Sequence, residues 1–183
     1  MTAVDRPLQT AITLILAEQA PALAEAHDEL YPERIPEQIP LSLTLLYPFA
    51  PVGELNDAHL DRVRAFFASR QPLVFDLTRL AQWDESGAVY AVPEPDDELR
   101  VTMRALWRSF PEFPPYGVPD SDPPPHASLT LNDHGDRTAI LRRAEQRLEG
   151  LLPAHFELTE VALMEEYALD RMRVTHTFPL AGG

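Results

Sequence analysis

Cysteine is absent, and so is lysine: all 15 basic residues are arginine. Without cysteine there is neither a disulfide framework nor a thiolate metal site. Glycine is scarce, at 7 residues. No Walker-type or dinucleotide-type glycine pattern occurs, so phosphate binding on a glycine-rich loop is not expected. No apolar run approaches the ~18 residues of a membrane span. The first residues show no basic segment leading into an apolar one, so no secretory leader is expected. These absences make the cytoplasm the default location. Positive charge is in the minority, and the formal net charge is −14. So acidic a chain repels a long polyanion, which argues against duplex DNA and long RNA as partners. It leaves room for a small nucleotide or an RNA end held by a few arginines. The carboxylates show no spacing typical of a metal site, and His126 has no nearby histidine or acidic partner at ligand spacing, as in His-Glu-x-x-His, so no metal and no cofactor is expected. No nucleophile-elbow sequence is present either.

What is present fits a folded domain. The chain has 183 residues, 45% of them apolar and 24% charged, enough for one domain or two small lobes sharing a core. Proline, at 19 residues, is abundant. It clusters between Phe110 and Pro125 with aromatics interleaved, which reads as a rigid loop rather than a disordered linker.

The most informative stretch is Pro125-His126-Ala127-Ser128-Leu129-Thr130-Leu131. Alternation puts His126, Ser128 and Thr130 on one face of a strand, with Ala127, Leu129 and Leu131 on the other. A polar face headed by histidine makes sense if it lines a cleft. Pro40-Leu41-Ser42-Leu43-Thr44-Leu45-Leu46-Tyr47-Pro48-Phe49 has the same form, and aligning Thr44 with Ser128 matches Ser42 to His126. The chain reads as two related halves, each presenting one polar strand (residues 41–47 and 125–131) to a shared site, with histidine in one of them.

Periodicity and turn residues place the remaining elements. Thr10 to Ala17 reads as a strand and Gln19 to Leu30 as a helix, with Leu23, Ala26, His27 and Leu30 at helical spacing. Pro32, Pro36 and Pro40 mark a loop. Asn56 or Asp57 caps a helix to Ser69. Leu73 to Leu80 and Ala88 to Val92 form a hairpin over Asp84-Glu85-Ser86-Gly87. A helix starts at Asp96 or Asp97 and ends between Trp107 and Phe110. Asp133 or Asp136 caps a helix ending at Gly150. Phe156 to Met164 and Met172 to Phe178 are the closing strands, with a turn at Tyr167 to Asp170. This order gives a single α+β domain over residues 1–183, two-lobed, from a duplicated βαβαβ-type pattern with antiparallel sheets flanking a central cleft.

With both polar strands placed, the sequence resembles the 2H phosphoesterase superfamily, in particular its bacterial 2′-5′ RNA ligase group. Members carry two His-x-Thr/Ser motifs, one per lobe. His126-Ala127-Ser128 matches the second motif. The first is met by Ser42-Leu43-Thr44 within Pro40 and Thr44-Leu45-Leu46-Tyr47-Pro48-Phe49, where members read Pro-x-His-x-Thr-Leu-Leu-Tyr-Pro-Phe. Phe113-Pro114-Pro115-Tyr116-Gly117 resembles the loop before the second motif, and Val161 to Glu166 with Arg173 to Leu180 the closing hairpin.

The resemblance implies a LigT-like fold and metal-free acid–base chemistry on a small cyclic phosphodiester, a 2′,3′-cyclic nucleotide or an RNA end. His126 would be the surviving catalytic imidazole and Ser42 would occupy the other catalytic position. Thr44 and Ser128 would hold the phosphate oxygens, with Tyr47 and Tyr116 as further substrate contacts. A hydroxyl does not exchange protons near pH 7 as imidazole does, so activity is expected to be impaired. The competing expectation is a cleft that binds a nucleotide or phosphorylated metabolite without turnover. A monomer is expected. Trp83 and Trp107 read as packing. His27, His59 and His134, in helices or their caps, are expected to be solvated. His155 and His176 lie near the closing strands, and only His176 alternates so that it could face the cleft.

Overall fold

The computed structural model describes residues 6–30, 39–130, 135–169 and 171–182. The expectations for Pro32, Pro36, Leu131, Asp133, His134 and Asp170 lie outside them. The elements are β1 (Thr10–Ile15), α1 (Pro21–Leu30), β2 (Ser42–Leu46), α2 (Asp57–Phe67), β3 (Leu73–Gln82), β4 (Val89–Glu94), α3 (Asp97–Ser109), β5 (Ala127–Ser128), α4 (Arg137–Arg147), β6 (Ala154–Leu158), β7 (Glu160–Ala168) and β8 (Arg171–Pro179). Asn56 caps α2 by accepting the His59 amide, and Asp136 caps α4 by accepting the Thr138 and Ala139 amides, as their side chains favour.

Among the described residues eight strands join one antiparallel sheet in the order β6-β3-β4-β5-β2-β1-β7-β8. The two polar strands are direct neighbours at its centre, with four strands ending at β5 on one side and four starting at β2 on the other. The expected strand from Phe156 to Met164 is in fact two. It breaks at Thr159, and its parts pair with opposite halves, β6 with β3 and β7 with β1. The sequence carries the reason. Phe156 and Leu158 bury the even positions, while Val161 and Leu163 put core residues on odd ones. Such a phase flip cannot be accommodated in one regular strand. Leu158 and Glu160 are two residues apart, which spans at most ~7 Å. In a flat sheet strands six places apart would be separated by ~29 Å. The sheet therefore curls until its two halves nearly meet.

Alternation divides the sheet into two faces. Ile12, Leu14, Leu43, Leu45, Ala127, Val161 and Leu163 share the main core with Leu23 and Ala26 of α1, Phe67 of α2, Leu106 of α3 and Ala144 of α4. This one cluster runs from Ile12 to Leu180. The opposite face of β1, β2 and β5 carries Thr13, Ser42, Thr44 and Ser128, and these line a cavity. The helices thus back the sheet on one face and leave the polar rows facing the cleft.

Candidate active site

Leu43 pairs with Ala127 in antiparallel register, both fully buried. One step to either side, that register sets Ser42 beside Ser128 and Thr44 beside His126. Ser42 and His126 therefore lie on a diagonal of one cleft, and the direct neighbour of Ser42 is Ser128. The rows continue outward: Thr44 opposes Thr13 of β1, and Ser128 opposes Tyr90 of β4. The cavity over these rows measures about 280 Å³ and is lined by Ser42, Thr44, Tyr47, Tyr116, His126 and Ser128 together. Its size is near the lower end of the ~300–1,000 Å³ of small-molecule sites. These six candidate site residues thus line one cavity, whereas Thr130, expected on the same polar face, is buried away from it with its hydroxyl accepting from the Val89 amide.

His126 is buried, at 7% exposure. Its Nδ1 stands 2.8 Å from the Pro124 carbonyl oxygen, which can only accept. Nδ1 therefore carries the proton, and in the neutral ring Nε2 is the proton acceptor. The ring meets Trp83 edge-on at 5.1 Å and Tyr90 at 5.6 Å, and those two rings stack on each other at 4.5 Å. Burial pushes the His126 pKa below the ordinary imidazole value and outweighs the bond to Pro124, which pulls it up. The side chain is thus held neutral, in one tautomer and one orientation. Trp83 is packing, as expected, but what it packs against is the imidazole.

Tyr116 Oη lies 3.4 Å from His126 Nε2, a long hydrogen bond. Tyr116 as a residue is 48% exposed, but its hydroxyl end reaches into the cavity, and burial there raises the phenol pKa. The phenol keeps its proton and donates. Its backbone is left-handed, with φ of 56°. For a residue with a Cβ this costs roughly 1–2 kcal/mol. The Tyr116 amide donates to Tyr47 O at 2.7 Å, and the Gly117 and Val118 amides close the turn onto Pro114 and Pro115. Arg104 of α3 clamps Asp122 at the far end of the loop through two hydrogen bonds, and its guanidinium holds that carboxyl below the usual carboxylate range. The proline-rich loop is thus tied to the sheet and to α3, and it aims Tyr116 at the imidazole. Tyr47 packs with Ala11, Met164 and Met172 into an apolar wall of the cavity.

The sequence reading misplaced two histidines, His27 and His59. His27 is not solvated. It is 3% exposed and lines the cavity from α1, with Nδ1 3.1 Å from Asp28 Oδ1. The signal was its place on the apolar stripe with Leu23 and Leu30. His59 is half-buried and sits edge-on to Phe49 and Phe113. His176 stacks on Phe178 and does not line the cavity, while His155 bonds Asp76 on the surface. Glu166 was missed altogether. It is a buried carboxylate at the cavity wall, held by both terminal nitrogens of Arg6 at 2.7 Å and by the Gln9 amide. Among the described residues no three His, Asp or Glu side chains converge as a metal site requires, and no helix is long and apolar enough to cross a membrane.

Comparison with known proteins agrees with this architecture. Escherichia coli LigT, in a crystal structure complexed with 3′-AMP, superposes with a TM-score of 0.58 at 16% identity, covering 96% of this chain and 99% of that one. A crystal structure described as a phosphoesterase gives 0.60 at 18% identity, with 96% and 99% covered. The protein TT0787 of Thermus thermophilus gives 0.59 at 19% identity, with 95% and 98% covered. At such identities the likeness establishes the fold. A search of curated proteins finds no match. The sequence model of the 2′-5′ RNA ligase superfamily matches residues 12–169, which takes in both polar strands and the loop between Phe110 and Pro125, and the chain belongs to that superfamily.

Proposed function

We propose that this protein opens a small cyclic phosphodiester, a nucleoside 2′,3′-cyclic phosphate or the same group at an RNA end, by acid–base catalysis without a metal. The observation that carries this reading is His126: a buried, neutral imidazole whose acceptor nitrogen shares one cavity with Ser42, Thr44 and Ser128. Such a nitrogen can take a proton from an attacking water. Hydroxyls of Thr44 and Ser128 are the donors within the cavity for phosphate oxygens, and the Tyr47 and Tyr116 rings flank the nucleoside. Nucleotide complexes of E. coli LigT, with 3′-AMP, ATP and NADP+, favour a nucleotide as the ligand class. Whole chain and site are read as one domain of 183 residues, monomeric and cytoplasmic.

Long nucleic acids are poor candidates. Arg62, Arg64, Arg79, Arg100, Arg104, Arg137 and Arg147 all pair with carboxylates, and the formal net charge of −14 repels a polyanion. Ser42 favours a second reading, a nucleotide-binding module without turnover, because it stands where the resemblance implies a second imidazole. One assay decides. Purified protein in excess EDTA is incubated with adenosine 2′,3′-cyclic phosphate, and adenosine monophosphate is followed. Product formation supports the enzyme. Tight adenosine 3′-monophosphate binding without product supports the module. The absence of both product and binding would overturn both readings.

A further inference from the structure

We propose that His27 supplies the second proton-transfer group of this site, in place of the imidazole that β2 lacks. The inference rests on the cyclic phosphodiester reading above. Opening the ring requires two proton movements. The water oxygen forms a bond to phosphorus while its proton passes to His126 Nε2. The bond from phosphorus to one ribose oxygen breaks, and that oxygen takes a proton from an acid. Water and the cyclic diester become one ring-opened monophosphate, and the two imidazoles end with exchanged protonation states that solvent resets. Ser42 cannot be that acid near neutral pH.

Among the described residues the cavity holds one other imidazole. His27 lines it together with Ser42, Thr44 and His126. It arrives from α1, the connection between β1 and β2, and so from the half of the sheet that carries Ser42. It is 3% exposed, so its packing holds the ring still. Asp28 Oδ1 accepts from its Nδ1 at 3.1 Å, which orients the ring. The carboxylate Glu166 on the same wall is already bound by Arg6 and the Gln9 amide, so it is a weaker candidate for the acid.

The test is turnover of adenosine 2′,3′-cyclic phosphate by wild type, His126→Phe, His27→Gln, Ser42→His and His27→Gln/Ser42→His, with pH profiles and melting temperatures. We expect His27→Gln to lower kcat by ~10²–10⁴-fold and to remove one limb of the profile. Adding Ser42→His to that variant should restore turnover, which no purely structural role of His27 explains, while Ser42→His alone gains little. Wild-type protein also gives an answer that needs no variant. Its His27 and His126 ring nitrogen shifts, followed by NMR during titration with adenosine 3′-monophosphate, should both move. If wild type turns over and His126→Phe does not, while folded His27→Gln matches wild type or the His27 ring is indifferent to the nucleotide, the assignment of His27 is overturned and the reading of the site stands. If wild type shows no turnover and the His126 ring is also indifferent, the reading of the site fails and this inference falls with it.

Discussion

Replacing His126 by phenylalanine separates its chemical role from its structural one. The imidazole is 7% exposed and wedged edge-on against Trp83 and Tyr90. Alanine would leave a hole beside those rings, whereas phenylalanine keeps a ring in place and removes both nitrogens. The structural loss is then one hydrogen bond, Nδ1–H to Pro124 O at 2.8 Å, in a part-buried setting. Leaving that carbonyl unpaired costs about 1–3 kcal/mol. For a chain of this size each kcal/mol lowers Tm by roughly 2–4 °C. The chemical loss is larger. A positioned base is worth ~10²–10⁴-fold in rate, which is about 2.7–5.4 kcal/mol at 1.36 kcal/mol per decade. Turnover of adenosine 2′,3′-cyclic phosphate and the thermal melt are measured on one preparation at a temperature well below the melt. The variant should be folded and nearly inactive. A folded His126→Phe protein that keeps wild-type kcat/KM would refute the assignment of His126 as the base.

Burial sets the His126 pKa below its unfolded value, so its neutral, proton-accepting form persists to lower pH than in a free imidazole. The acid limb of kcat/KM should accordingly fall below pH ~6.5, and a limb at or above that value contradicts a buried base. The same shift predicts that the stability contribution is complete above the unfolded pKa and is lost as pH falls through the window beneath it; His126→Phe should flatten that part of the Tm–pH curve. Tyr116→Phe removes the hydroxyl at 3.4 Å from Nε2. It should lower kcat/KM by about 2–10-fold, the worth of one ordinary hydrogen bond, and an unchanged value would limit Tyr116 to packing. Asp136→Ala takes two acceptor contacts from the start of α4. It should cost ~1 kcal/mol on the thermal melt and leave turnover intact.

Local patterns were legible from the sequence, and contacts between distant elements were less so. Helices α2 and α4 were readable because Asn56 and Asp136 announce their starts. The first polar strand was readable because period-two alternation separates Ser42 and Thr44 from Leu43 and Leu45. The second, expected over 125–131, is only Ala127–Ser128, because Thr130 is buried and its hydroxyl accepts from the Val89 amide. The break at Thr159 was hidden. Phe156 to Met164 has the length and composition of one strand, and only the change of buried phase marks the division. His27 was misjudged because a helical histidine is more often solvated. Its place among Leu23, Ala26 and Leu30 outweighed that expectation once α1 packed against the sheet. Glu166 gave no sequence signal. Its alternate neighbours are apolar, and its burial depends on Arg6, 160 residues away. Pairing at that separation is set by how the sheet curls, which no local pattern records.

The pairing of β2 with β5 accounts for how such a cleft keeps its form with a serine at position 42. The register is pinned from the other face. Leu43 and Ala127 are buried opposite each other, and Leu41, Leu45 and Leu129 belong to the same core. A slip by one residue would turn these side chains into the cleft and the polar set into the core, so it is strongly disfavoured. The position of Ser42 is therefore dictated by its neighbours' burial and hardly at all by its own contacts. A substitution there leaves the fold almost untouched and is felt in the chemistry. The converse also holds. Any element that borders the cavity can present a proton-transfer group to a ligand bound there, provided its own packing holds the group still. On α1 that packing comes from Leu23, Ala26 and Leu30, and the residue among them that faces the cavity is a histidine. On the role proposed for His27, a catalytic function would sit on the helix rather than on the strand, with the substrate in the same place.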